Sequence, residues 1–140
     1  MNKAKLSSCA IILVSGEIEK AASYYRDVLG FRIVEHYDFE EKFAALYRDS
    51  IEIIFVQAKF GTVQSNRAKY GAGFDAYLVP ENPAAVQAFY TEIRAHGAKI
   101  VREPTMTTYG SLEFVFEDLE GRLIGVGCIK EAETFFGRVG

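Results

Sequence analysis

The feature that most constrains this chain is an internal duplication, in which the grammar of its first half returns about 65 residues later. Ile11-Ile12-Leu13-Val14 matches Ala76-Tyr77-Leu78-Val79, Tyr24-Tyr25 matches Phe89-Tyr90, and Gly30-Phe31-Arg32-Ile33-Val34 matches Gly97-Ala98-Lys99-Ile100-Val101. The offset is constant up to the helix end and slips by two residues at the glycine. A repeat of this length is one supersecondary unit, and a chain of 140 residues holds two of them around a sizeable core.

Each copy predicts the same elements. In the first, Ser15-Gly16-Glu17 supplies a capping-type residue and an acid, and Ile18, Ala21, Ala22, Tyr25 and Leu29 follow at helical spacing. Gly30 is the expected left-handed terminator. In the second, Asn82 is the expected cap and Pro83 fits the first helical position. Val86, Phe89, Tyr90 and Ile93 form the buried stripe, and Gly97 ends the helix. Each copy closes with two strands around a polar turn: 43–48 and 51–56 about Asp49-Ser50, then 111–117 and 122–129 about Glu120-Gly121. The expected fold is α+β, two tandem βαβββ modules whose curved mixed sheets surround a cavity, with helices on the outer face. The expected layout is one domain over 1–140: module one at about 7–57, a linker at 58–72, module two at about 73–129 and a docked tail at 130–140. The linker shows no clear period. Its length allows a lid or a hinge for exchange between protomers as well as a plain connection.

Composition narrows the class. With 49% hydrophobic and 25% charged residues the chain is neither disordered nor a disulfide scaffold. The net charge of −3 and the scattered lysines and arginines leave no basic stripe for nucleic acid. The apolar run Cys9 to Val14 is too short for a secretory signal or a membrane span, so a cytoplasmic protein with no membrane partner is expected. Cys9 and Cys128 lie in apolar runs and are expected to be reduced, buried thiols.

The run Ala22-Ser23-Tyr24-Tyr25-Arg26-Asp27-Val28-Leu29-Gly30-Phe31 resembles the first-module helix signature of the vicinal-oxygen-chelate superfamily. Tyr109-Gly110 with Phe116-Glu117-Asp118-Leu119-Glu120-Gly121 resembles its closing motif, a turn before the last strand. The superfamily includes glyoxalase I, extradiol dioxygenases, fosfomycin-resistance thiol transferases, methylmalonyl-CoA epimerase and bleomycin-resistance proteins. The resemblance covers roughly residues 7–129 and implies the fold more firmly than any one activity.

The resemblance also implies where a divalent metal such as Zn, Ni, Fe or Mn would be held, by His, Gln or Glu from the first and last strands of each module. Those positions fall on Cys9 or Ala10, on Phe74 or Asp75, and on Gly125; Glu52 alone resembles a retained carboxylate ligand. His36, near a strand end, and His96, beside the helix-ending Gly97, lack spaced partners and are expected to be structural or solvent-facing residues. No metal cofactor is therefore expected. The alternative is a metal-dependent lyase or dioxygenase with a degenerate ligand set, or a metal-free enzyme using Glu52 or Glu113 as a base.

Strand alternation then selects the cavity-facing residues. Phe43, Ala45, Tyr47, Glu52, Ile54 and Val56 fall on one face in module one. Glu113, Val115, Leu123, Gly125 and Gly127 do so in module two, beside Phe74 and Tyr109. The two glycines are expected to widen the pocket. Phe43, Tyr47, Glu52, Phe74, Tyr109 and Glu113 are thus the candidate ligand-binding residues, an aromatic wall with two carboxylates suited to a flat or cationic organic molecule. The competing reading has the aromatics pack between modules and the glutamates pair with Arg48, Arg67 or Arg122. The combination looks most like the metal-free bleomycin-resistance branch and implies a homodimer that sequesters a small molecule. A third reading leaves the cavity vestigial and makes the chain an interaction module.

Overall fold

The computed structural model describes residues 2–129. The expected tail at 130–140, with Phe135-Phe136, lies outside the described residues. Two compact units divide at Gly61 and Thr62.

In the first unit, β1 (Ile11–Ser15), α1 (Ile18–Asp27), β2 (Arg32–His36), β3 (Phe43–Arg48) and β4 (Ile51–Gln57) form a four-stranded mixed sheet in the order β1-β4-β3-β2. β1 runs parallel to β4 and the other pairs are antiparallel. α1 buries Ile18, Ala21, Ala22 and Tyr25, the expected face, against Leu46, Ile53 and Phe55. Tyr25 meets Phe55 edge to face at 5.0 Å and Phe31 at 5.8 Å. Ser15 does not cap this helix. Its hydroxyl accepts from the Glu17 N–H at 3.2 Å, while Gln57 at the end of β4 accepts the Ile18 N–H at 3.1 Å through its side-chain oxygen. The helix start is thus pinned by a residue 39 positions away, which local spacing cannot reveal.

The second unit repeats this plan with β5 (Ala76–Leu78), α3 (Pro83–Ala95), β6 (Lys99–Met106), β7 (Ser111–Glu117) and β8 (Leu123–Ile129), in the order β5-β8-β7-β6. Asn82 caps α3 as expected, accepting from the Ala85 N–H at 2.9 Å with Pro83 at the first helical position. Gly30 and Gly97 take the left-handed conformation, φ 76° and 94°. Val86, Tyr90 and Ile93 pack beneath Phe114, Phe116, Ile124 and Val126.

The linker is not featureless. It carries α2 (Asn66–Tyr70), with Ser65 accepting from the Ala68 N–H at 3.0 Å and Gly71 left-handed at its end. The Asp75 carboxylate then accepts from the Asn66 and Leu123 N–H groups at 2.9 and 2.8 Å, clasping α2 to β8. A single helical turn and a half is too short to show a period. Cys9 departs from expectation as well: it is exposed, because β1 begins only at Ile11. Cys128 is partly buried, and neither is in a disulfide.

Candidate functional site

Register sorts the side chains of each sheet into rows. On the open face of the first unit, the face away from α1, one row is Glu52, Tyr47 and Arg32, a second is Ile12, Ile54, Ala45 and Val34, and a third is Val14, Val56, Phe43 and His36. The third row opens into a cleft of about 760 Å³, lined by Phe39, Phe43, Phe60, Val14, Ile54 and Val56, with Glu40, Glu41, Lys42 and Lys59 around it. Its rings are ordered by one another. His36 stacks on Phe43 at 4.4 Å, and Phe39 stands perpendicular to Phe43 at 5.6 Å. Lys42 pairs with Glu19 at 3.1 Å and Lys59 lies 3.8 Å from Glu41. Among the described residues the exposed Glu40 has no such partner.

Of the six candidate ligand-binding residues Phe43 alone lines this cleft, with Ile54 and Val56 of the expected cavity-facing set beside it. Tyr47 and Glu52 share the face in another row, where Tyr47 is hydrogen-bonded to Glu52 and lies 5.3 Å under the Arg32 guanidinium. That hydrogen bond, with some desolvation, pushes the Tyr47 phenol up from its ordinary value. His36 is held by its stacking on Phe43.

The other expected residues gather in the second unit, around a residue the sequence reading missed. Tyr77, Gly125, Val115 and Arg102 form one row across the sheet, and Gly127, Glu113 and Thr105 the next. The Tyr77 ring lies flat over both glycines. A Cβ on Gly125 would stand 2.7 Å from Tyr77 Cδ2 and 3.0 Å from Phe74 Cδ2, and one on Gly127 would collide with the Tyr77 hydroxyl and come within 2.8 Å of Ser111 Oγ. The glycines therefore do not widen a pocket: they make room for Tyr77. A glycine pair beside a parallel strand bearing one large aromatic was the available signal.

Glu113 sits beneath this ring, 1% exposed. Its Oε2 accepts from the Tyr77 and Tyr109 hydroxyls, each at 2.6 Å, and its Oε1 accepts from Arg102. The Tyr77 hydroxyl also lies 3.3 Å from Ser111 Oγ. Burial first, and the Glu113 carboxylate second, push the Tyr77 phenol up to about 12. Tyr109, half-exposed, is raised chiefly by its bond to Glu113. Glu113 thus pairs with Arg102, not with the arginines the sequence suggested. Arg122 is committed to Asp118 at 3.0 Å in a buried ion pair that shapes the closing turn, and Arg48 donates to the Leu29 carbonyl at 2.7 Å.

These residues do not fit a divalent metal. Phe74 and Gly125 bring no donor, Asp75 is spent on two backbone N–H groups, and Cys9 lies outside the sheet. Ile12 and Tyr77 are equivalent in the repeat and pair with Ile54 and Gly125, so Ile54 takes the place of Gly125 and Glu52 lies one row away. The Tyr77 ring fills the space that a ligating side chain at position 125 would need. Among the described residues no group of three or more His, Cys, Asp or Glu could hold a metal ion, and no helix is long and apolar enough to cross a membrane.

Comparison with known proteins agrees with this fold. A glyoxalase/bleomycin resistance/dioxygenase domain from Frankia sp. EAN1pec superposes with a TM-score of 0.73 at 14% identity, covering 95% of this chain and 99% of that one. A glyoxalase/bleomycin resistance protein/dioxygenase from Nocardioides gives 0.67 at 15% identity, covering 93% and 87%. TioX from Micromonospora sp. ML1 gives 0.65 at 20% identity, covering 88% and 98%. At these identities the likeness speaks for the fold alone. No protein of curated function matches the sequence. The family profile described as Glyoxalase/Bleomycin resistance protein/Dioxygenase superfamily matches residues 5–126, and the chain belongs to that superfamily.

Proposed function

We propose that this protein is a metal-independent binding protein that sequesters a flat aromatic compound, cationic ones included, as a homodimer, in the manner of the bleomycin-resistance branch. The observation that carries this reading is the first unit's cleft, about 760 Å³ with three phenylalanines in its wall. That size suits a small organic molecule, and stacked rings with apolar walls favour a planar one. Glu40 at the rim, with no ion-pair partner among the described residues, gives a cationic substituent a place to sit. Exposed apolar residues on the same face, Ile12 at 63% and Val14 at 51%, support self-association, since such surface is seldom left to solvent. The poor fit to a metal supports binding without metal chemistry. With Glu113 saturated by three donors and Glu52 held by Tyr47, neither is poised as a base.

Fluorescence titration with 3,6-diaminoacridinium, a planar cation, and acridone, its neutral counterpart, tests this reading. Both should bind with micromolar or better affinity, the cation more tightly. Phe43→Ala should weaken both by about tenfold or more, from the loss of a buried aromatic contact. Equal binding to wild type and Phe43→Ala would remove the cleft from the account.

A further inference from the structure

The second unit carries a polar assembly that the cleft in the first does not use, and its construction is unusual. β6 is an edge strand whose register slips twice against β7: Ile100 faces Phe116, Arg102 faces Val115, and Thr105 faces Glu113. In an unbroken antiparallel ladder Arg102 would face Phe114, which is fully buried against α3. The extra residue at Val101 turns Arg102 to the opposite, open face. Bulges of this kind re-aim side chains and concentrate near functional sites. A guanidinium could reach solvent from an edge strand without one, so the bulge specifically brings Arg102 beside Glu113.

The hydrogen-bond inventory states what this corner offers. Arg102 gives one N–H to Glu113 Oε1; its side chain is 47% exposed, and among the described residues the rest of its donor fork has no partner. Tyr77 and Tyr109 both spend their protons on Glu113 Oε2, and each phenol oxygen already has a hydroxyl beside it, Ser111 Oγ at 3.3 Å from Tyr77 and Thr107 at Tyr109. What remains for a newcomer is one further acceptor position, the more open one on the half-exposed Tyr109. Because all three partners grip one carboxylate, the free guanidinium donors and the two phenol oxygens lie within a few ångströms of one another, a spacing set by hydrogen-bond lengths. Glu113 is buried beneath its three donors while the Arg102 side chain is about half exposed, so a ligand arriving from solvent meets the guanidinium and not the carboxylate. An anionic acceptor meeting the fork, with a donor on the same molecule meeting the Tyr109 oxygen, matches the groups left open here.

We propose that Arg102, aimed by the β6 bulge and held by the buried Glu113, is the anion-recognising residue of a second binding site, which takes an aromatic carboxylic acid bearing a hydroxyl or amino donor. Phe74, 6.0 Å from the Tyr77 ring, offers that ligand an aromatic flank. This site is built wholly from residues of the second unit, as the cleft lined by Phe43 is from the first, and differs from it in the charge it selects.

The test is calorimetric titration with 6-hydroxy-2-naphthoate and with its uncharged amide, 6-hydroxy-2-naphthamide. Wild type should bind the acid at least ten times more tightly than the amide, and the acid should shift the Arg102 Nε–Hε resonance in a ¹⁵N spectrum. Arg102→Gln should bring the ratio close to one. Because that variant leaves a buried carboxylate short of its cation, Arg102→Gln/Glu113→Gln, which removes both charges, should give the same loss of preference in a chain free of that cost. Diaminoacridinium titration of the same proteins should be unchanged and reads the first cleft separately. Equal affinity for acid and amide in wild type, a preference that survives both variants, or no binding of either naphthalene would each overturn the proposal.

Discussion

Gly125 shows most directly how one residue type decides what this sheet can do. With Tyr77 Cδ2 2.7 Å from where its Cβ would stand, Gly125→Ala must displace the ring or the strand. It should destabilise the protein by about 1–3 kcal/mol, the range for overpacking a filled site. Tyr77→Ala/Gly125→Ala should recover most of that in a double-mutant cycle by chemical denaturation; additive losses would mean that the two do not meet. The Tyr77 hydroxyl gives a second readout. Its phenol, pushed to about 12 by burial and by Glu113, stays protonated where an ordinary tyrosine ionises. A folded-state value above the unfolded one means that the stability this group contributes is complete below about pH 10 and is lost as pH rises towards 12. Ultraviolet titration should show one tyrosine ionising near 12, and Glu113→Gln should lower it without restoring the ordinary value, since burial remains.

At the scale of elements, much was legible and the exceptions have physical causes. The apolar stripes of α1 and α3, the glycines that end them, the Asn82 cap and the paired strands all follow from local periodicity and turn chemistry, which act over a few residues. The Gln57 cap of α1, the bulges of β6 and the clasp of Asp75 on α2 depend on partners elsewhere in the chain. The candidate site was half legible for the same reason. Alternation put Phe43, Glu52 and Glu113 on the open faces, but not the row each occupies or the ring lying over Gly125. Tyr77 and Arg102 went unnoticed because strand pairing alone brings them to Glu113. The closing turn yields a stability prediction at this scale. Asp118 accepts from the Arg122 and Glu120 N–H groups and pairs with the Arg122 side chain, both partners buried. Arg122→Met should cost about 3–5 kcal/mol in denaturant unfolding, the penalty for stranding a buried charge, whereas Arg122→Met/Asp118→Asn, which removes the charge and keeps an oxygen for the two N–H groups, should cost less.

For the whole molecule, the duplication keeps the scaffold of its superfamily while its two copies have diverged on the open faces of their sheets. The first copy presents phenylalanines around a cleft; the second fills the equivalent strand surface with Tyr77 and builds a saturated carboxylate beneath it. Divergence of this kind fits a binder whose two faces recognise different chemistry better than a symmetric metal cage. Sedimentation equilibrium should give twice the 15.6 kDa chain mass at micromolar concentration, and Ile12→Lys/Val14→Lys should shift the protein towards the monomer. Metal-independent binding is most directly tested by one titration of diaminoacridinium into protein stripped with chelator and into the same protein supplied with Zn, Ni, Mn or Fe(II). The dissociation constant should be the same in all; binding that needs a metal, or that vanishes on chelation, would contradict the account.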